Sequence, residues 1–260
     1  MALSKDNIIA IVQARTVSTR LPGKVLCQVI GIPMILLQLE RMQKSEYAKD
    51  AVVATTVDKS DDGLVKVLEN AGHRVFRGSN RDVLDRYYRA ACGYDAKHVI
   101  RITADCPLMD SEVIDDVVRE HIVSKADYTS NTVPPTYPDG LDVEVVTMTA
   151  LHAAWKYARL RSEREHVTLF IKNNANEFRC INVKARKDMS HLRWTVDEKE
   201  DLEFVREVYA ALRLTDQEIT LNSVLRLIEQ QPHLGQINKG IGRDEGLGKS
   251  LKEDGLFQRS

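Results

Sequence analysis

Several familiar chemistries are missing from this 260-residue chain. Its four cysteines, Cys27, Cys92, Cys106 and Cys180, are widely spaced and form no C-x-x-C pair. That argues against a disulfide framework or a zinc site and for reduced thiols in a cytoplasmic protein. The seven histidines show no H-x-x-x-H spacing. No apolar run approaches the roughly 20 residues of a membrane span, so no membrane partner is expected. Met1 to Asp6 lacks the basic region and long apolar stretch of a signal peptide. The net charge is only -1. With no global basic excess, a nucleic-acid partner is not expected, and any anion site must be local. Neither G-x-x-x-x-G-K-[ST] nor G-x-G-x-x-G occurs, and there is no internal repeat.

What is present is a rhythm. Ile8–Val12 is a short apolar run of the kind a buried parallel strand shows. A helix is expected over Pro33–Gln43, a strand over Ala51–Ala54, and a helix over Asp61–Asn70 with Gly72 at its C-terminal cap. A strand over His73–Phe76 follows, then a helix from Asn80 as cap to Ala91, a strand over Val99–Thr103, and a helix capped by Asp110 running to Ser124. This alternation predicts an α/β fold with a doubly wound, mostly parallel sheet. The second half is less regular. A loop at Pro134–Gly140 precedes strands at Asp142–Thr147, Phe178–Val183 and Leu192–Val196. Helices are expected at Thr149–Arg159, Ser162–Asn173, Glu198–Leu212 and Leu221–Gln230. The chain then divides into a domain over residues 1–235, with an inserted acceptor or dimerisation segment near 130–192, and an arm or lid over 236–260.

Ligands of doubly wound sheets bind beyond the carboxyl ends of the strands. Two loops fall there. The run from Gln13 to Lys24 carries Arg15, Arg20 and Lys24, with Ser18 and Thr19 between them. Guanidinium forks, an ammonium and hydroxyl donors are what a triphosphate requires. Pro22-Gly23 supplies a turn to bring Lys24 back. A solvated basic loop would read the same by charge alone. The run from Arg101 to Asp110 places Asp105 just past a strand, where magnesium could find a hard oxygen ligand. It could equally cap a turn. Asp197 ends another apolar run and could instead cap a helix in a box with Glu200. Asp142 and Glu144 alternate with apolar residues and could grip an acceptor or line a polar sheet face. Arg164 and His166 could bind an anionic acceptor or sit on a solvated helix start. Ser79 and Asn80 lie at a helix start and could hold a ligand. Arg86 could reach inward or pair with Asp82.

Taken in order, these motifs resemble the cytidylyltransferase family of SpsF type, which is related to the enzymes that make CMP-activated ulosonic and sialic acids. The likeness rests on Ala14-Arg15 with Thr19-Arg20-Leu21-Pro22-Gly23-Lys24. It rests also on Arg77-Gly78-Ser79 with Asp82-Val83-Leu84 and Arg86, on Asp139-Gly140-Leu141-Asp142-Val143-Glu144, and on Glu163-Arg164-Glu165-His166. The resemblance implies a Rossmann-like nucleotidyltransferase fold and transfer of CMP from CTP to a small acidic acceptor, with release of pyrophosphate. It implies nucleotide binding by Ala14, Arg15, Ser18, Arg20, Lys24, Ser79 and Asp82, and Mg²⁺ held by Asp105 and Asp197. The residues expected to carry catalysis are Arg15, Lys24, Asp105 and Asp197. The acceptor would meet Asp142, Glu144, Arg164 and His166, and a homodimer is expected. Where ulosonate-activating relatives carry Gly-Asp-x-Pro, this chain has Ala104-Asp105-Cys106-Pro107. A nucleotide-sugar-dependent glycosyltransferase is the competing enzyme reading, but Asp105-Cys106-Pro107 does not fit its D-x-D metal motif. A non-catalytic nucleotide-binding protein is the other alternative.

Overall fold

The computed structural model describes residues 8–243 and 245–257. The leader expectation at Met1–Asp6 and the last three residues of the arm lie outside the described residues. In chain order the elements are β1 (Ile8–Gln13), β2 (Gln28–Val29), β3 (Ile32–Pro33), α1 (Met34–Met42), β4 (Val52–Thr56), α2 (Asp62–Asn70) and β5 (Arg74–Gly78). There follow α3 (Val83–Cys92), β6 (His98–Thr103), α4 (Ser111–Ser124), β7 (Tyr128–Ser130), β8 (Glu144–Thr147), α5 (Met148–Tyr157), α6 (Arg161–Glu165) and α7 (Leu169–Asn173). The chain closes with β9 (Cys180–Asn182), α8 (Lys199–Leu214), α9 (Leu221–Gln230) and α10 (Glu245–Phe257).

Seven strands form one sheet in the order β5-β4-β1-β6-β8-β7-β9. β1 pairs in parallel with both β4 and β6, and β4 with β5. Only β8 runs against its neighbours, β6 and β7. The chain steps outward from β1 to β4 and β5, then returns to β6 on the other side of β1. That reversal makes the β1/β6 edge the switch point where a crevice opens. Register pairs Gln13 with Thr103, so the loops beyond them emerge side by side. The Ala104 N–H donates to the Gln13 carbonyl at 3.0 Å and ties them.

Alternate residues of β1 feed two cores, because successive strand side chains point to opposite faces. Ala10 and Val12 pack with α1, α2, α4 and α8. Ile9 and Ile11 pack with α3, α5 and α7. Val12 and Ile11 are both wholly buried, a contribution of roughly 1.5–3 kcal/mol each. The Gly72 expectation holds in detail. Gly72 has φ 79°, and the His73 and Gly72 amides reach back to the Leu68 and Glu69 carbonyls, each at 3.0 Å. Asp110 caps α4 by accepting from the Glu112 N–H at 2.8 Å.

Four expectations need correction. Asp82, not Asn80, caps α3, accepting from the Asp85 N–H at 2.9 Å. The helix expected over Ser162–Asn173 is two short helices, broken where Val167 adopts φ 52°. Leu192–Val196 is not a strand; among the described residues its β-type pairing is the isolated bridge between Asp139 and Arg193. The N-cap of α8 is Glu198, not Asp197, and the carboxylate that closes the box from inside the first turn is Asp201, not Glu200. It accepts from the N–H groups of Asp197 and Glu198, each at 3.0 Å. Among the described residues no helix is long and apolar enough to cross a membrane.

Candidate active site

The crevice is a cleft of about 720 Å³ bounded by the loop after β1, the loop after β6, the segment before α8, and α6 with α10. A smaller depression of about 470 Å³ lies between α8 and α9, away from the groups described below.

Each side chain is placed by an identifiable local device. Gly23, at φ 70°, turns the chain, and its N–H donates to the Thr16 carbonyl at 2.9 Å. This folds the loop back so that Lys24 opens a single 3-10 turn facing inward. Asp105 follows β6 directly. Its carbonyl accepts from the Val196 N–H at 2.8 Å and from the Thr195 hydroxyl at 3.2 Å. Asp105 is thereby stitched to the segment that carries Asp197. Gly140 holds that segment from the far side. Its φ is 110°, and a Cβ there would lie 2.5 Å from the Thr195 nitrogen, so only glycine allows the approach. The Asp139 carbonyl accepts from the N–H groups of Trp194 (2.6 Å) and Thr195 (2.9 Å). The turn expected at Asp139-Gly140 is thus a clamp behind Asp197.

The charges converge on Lys24. Its Nζ donates to Asp105 Oδ2 at 2.7 Å, to Asp197 Oδ1 at 2.8 Å and to the Val196 carbonyl at 2.9 Å. Burial opposes the ammonium's charge, but the two carboxylates outweigh it and hold Lys24 above the usual lysine value. Burial likewise opposes the charge on Asp197, yet Lys24 and then Arg20 bring its carboxyl down to about 2. Asp105 is also lowered, by Lys24 against the resistance of burial and of Asp197. Arg20 reaches Asp197 Oδ1 at 2.8 Å, Glu198 at 3.2 Å and Glu245 of α10 at 2.8 Å. Arg193 holds the other oxygen of Asp197 at 3.0 Å, and also bonds Asp139 and Asp201 at 2.9 Å each.

The structure therefore brings Arg15, Ser18, Arg20, Lys24, Ala14, Asp105 and Asp197 to one cleft. It engages the other expected site residues elsewhere. The Ser79 hydroxyl accepts from the Asp82 N–H at 3.0 Å, and the Asp82 carboxylate, besides capping α3, pairs with Arg164. Arg86 reaches inward and donates to the Ser79 carbonyl at 2.6 Å. Asp142 pairs with Arg243. Glu144 is buried in a network with Arg101, Tyr128, Thr168 and Lys172. His166 meets the Ser250 hydroxyl at 3.1 Å and is lowered by burial. The cleft wall on that side consists instead of Arg161 and Glu165 of α6 and Glu245, Lys249, Ser250 and Glu253 of α10. Arg193 and the α10 residues were missed by sequence reasoning. Arg193 sits four positions before Asp197 in what reads as a strand, and α10 reads as a glycine-rich tail.

Similarity to known proteins agrees with this geometry. The chain is 35% identical over 211 residues to the spore coat polysaccharide biosynthesis protein SpsF of Bacillus subtilis, covering 78% of this chain and 87% of that protein. It is 28% identical over 185 residues to a 3-deoxy-manno-octulosonate cytidylyltransferase of a Psychrobacter species, covering 66% of this chain and 65% of that enzyme. The solved structure of a cytidylyltransferase from Leptospira borgpetersenii superimposes with a TM-score of 0.84 at 29% identity, covering 91% of this chain and 99% of that one. A family model described as cytidylyltransferase matches residues 9–237. This chain belongs to the cytidylyltransferase family, and it is a CTP-dependent nucleotidyltransferase.

Proposed function

We propose that the cleft transfers CMP from CTP to an acidic sugar, or a phosphorylated sugar-like acceptor, in the making of a surface polysaccharide. The observation that carries this reading is the convergence of Lys24 on Asp105 and Asp197 at the switch point. The relatives, a 3-deoxy-manno-octulosonate cytidylyltransferase and a spore coat polysaccharide biosynthesis protein, support the acceptor class.

The donor set fits a divalent cation. Asp105, Asp197 and the Val196 carbonyl already surround one cationic nitrogen with three oxygens. Among the described residues no group of three or more His, Cys, Asp or Glu forms a cage. That pattern suits Mg²⁺, which commonly takes one or two carboxylates and completes its shell with water and phosphate oxygens. Asp105 and Asp197 would hold the ion, which when bound neutralises charge on the phosphates.

The protein's own groups do the rest. An acceptor oxygen attacks the α-phosphorus of CTP, the bond to the β-phosphate oxygen breaks, and pyrophosphate leaves. Such transfer needs positioning and charge neutralisation more than covalent chemistry. Lys24, freed from the carboxylates, stabilises the charge gathering on pyrophosphate. Arg20 does the same once Glu245 yields to the triphosphate. Arg15, held only loosely at 3.7 Å from Glu165, is free to meet the phosphates. The acceptor enters beside α6, from the 130–192 segment, and α10, from the C-terminal arm; Arg161 and Lys249 offer its negative group a cationic wall.

The test is pyrophosphate release with Mg²⁺ and each of CTP, UTP, ATP and GTP, against a pool of acidic sugars and sugar phosphates. Release with CTP and one acceptor class is the expected result. Release only with neutral, unphosphorylated sugars would overturn the acceptor assignment.

A further inference from the structure

We propose that Asp61 is a positioning residue that sets where Arg15 enters the cleft; this rests on the reading of Arg15 as a phosphate ligand. Asp61 is only 1% exposed. Its Oδ1 accepts from the Thr16 N–H at 2.8 Å and the Thr16 hydroxyl at 2.7 Å. Its Oδ2 accepts from the Thr55 hydroxyl at 3.0 Å, the Thr56 hydroxyl at 2.5 Å and the Thr56 N–H at 3.3 Å. No lysine or arginine pairs with it among the described residues, so hydroxyl and amide donors alone satisfy a buried carboxylate, which is costly to bury otherwise.

The direction of these bonds excludes the ordinary explanation. An aspartate just before a helix normally caps it. Asp61 precedes α2, yet its side chain caps none of that helix's N–H groups. It spends both oxygens on the end of β4 and on a residue 45 positions earlier. Thr16 is the residue after Arg15, and its carbonyl also receives the Gly23 N–H. One anchor therefore pins both ends of the turn that delivers Arg15 and Lys24. Among the described residues the Arg15 side chain has no partner closer than Glu165 at 3.7 Å, and it is 45% exposed. Its placement comes from the backbone, and the backbone is held by Asp61.

Steady-state pyrophosphate release separates this role from a structural one. Asp61→Asn should raise the KM for CTP about tenfold, the scale of losing hydrogen bonds to a charged group, with kcat and the acceptor KM little changed. Thr16→Val should raise the CTP KM in the same sense at wild-type melting temperature, and Thr16→Ser should restore it. Asp62→Asn, an exposed neighbour paired with Arg77, should leave it unchanged. If Asp61 acts through Arg15, the double variant Asp61→Asn/Arg15→Ala should be no worse than Arg15→Ala alone to within about twofold, whereas independent effects multiply. Multiplying effects would overturn the proposal. So would an unchanged CTP KM in Asp61→Asn and Thr16→Val when Arg15→Ala raises it. If Arg15→Ala itself leaves the CTP KM unchanged, the phosphate-ligand reading falls and this inference falls with it.

Discussion

Two clusters of opposite charges sit on the same sheet, and they do different work. At the carboxyl edge of β1 and β6, Lys24, Arg20, Asp105 and Asp197 face a cleft, and the side chains of Arg20 and Asp197 stay 33% and 22% exposed. At the antiparallel end, Glu144 is 3% exposed and takes four donors, from Arg101, Tyr128, Thr168 and Lys172. Burial opposes the charge on Glu144, but Lys172 and Arg101 drive its carboxyl far below the usual range. The first cluster can exchange its partners for phosphate and metal. In the second, the Glu144 carboxylate is already held by four donors from within the protein and is almost wholly buried. Residue type does not separate them; position relative to the end of the strand does.

The largest expected effect breaks the buried cluster. Glu144→Gln leaves Arg101 and Lys172 without their anion, so chemical denaturation should show a loss of about 3–5 kcal/mol. Next come Asp105→Asn and Lys24→Ala. Each should lower kcat by at least about 100-fold, the scale of removing one preorganised charge contact. Their denaturation midpoints should move far less than that of Glu144→Gln. An equal loss of stability in all three would erase the distinction between the clusters.

A pH titration sharpens the same contrast. His121 lies at the antiparallel end, 1% exposed, with Nδ1 3.0 Å from the Thr129 hydroxyl. Burial, and then neighbouring His98, lower it from 6.5 to about 4. A histidine kept neutral in the fold is protonated first in the unfolded chain. Its stabilisation is therefore complete above pH 6.5 and is lost as pH falls toward 4, by up to about 3 kcal/mol. That slope should flatten in His121→Gln. The smallest effect concerns the exposed tie from Arg20 to Glu245. Exposed pairs are worth about 0–1 kcal/mol. Glu245→Gln removes an internal competitor for Arg20, so the KM for CTP should fall by no more than about fivefold.

The legibility of the site follows the same division. The loop from Gln13 to Lys24 could be placed from sequence because an apolar run fixes β1, and cations two to eleven positions beyond it must emerge at the sheet edge. Asp105 was legible for the same reason. Asp197 was ambiguous, since an aspartate before a helix reads as a cap; the fold gives that task to Glu198, with Asp201 closing the box, and frees Asp197 for Lys24. Glu144 looked like a site residue because alternation identifies a face but not what covers it. Thr168 and Lys172, which cover it, lie more than twenty positions away. The α10 wall was hidden because three glycines, Gly246, Gly248 and Gly255, make the segment a poor helix former. Its contacts with α6, such as Asp254 accepting from the Ser162 N–H at 3.2 Å, are wholly tertiary.

The most direct test of the exchangeable cluster needs no acceptor. Calorimetric titration of CTP into the wild-type protein and into Lys24→Ala, with and without Mg²⁺, should show binding that strengthens with Mg²⁺ in the wild type and is lost in the variant. Undiminished CTP binding by Lys24→Ala would contradict the account.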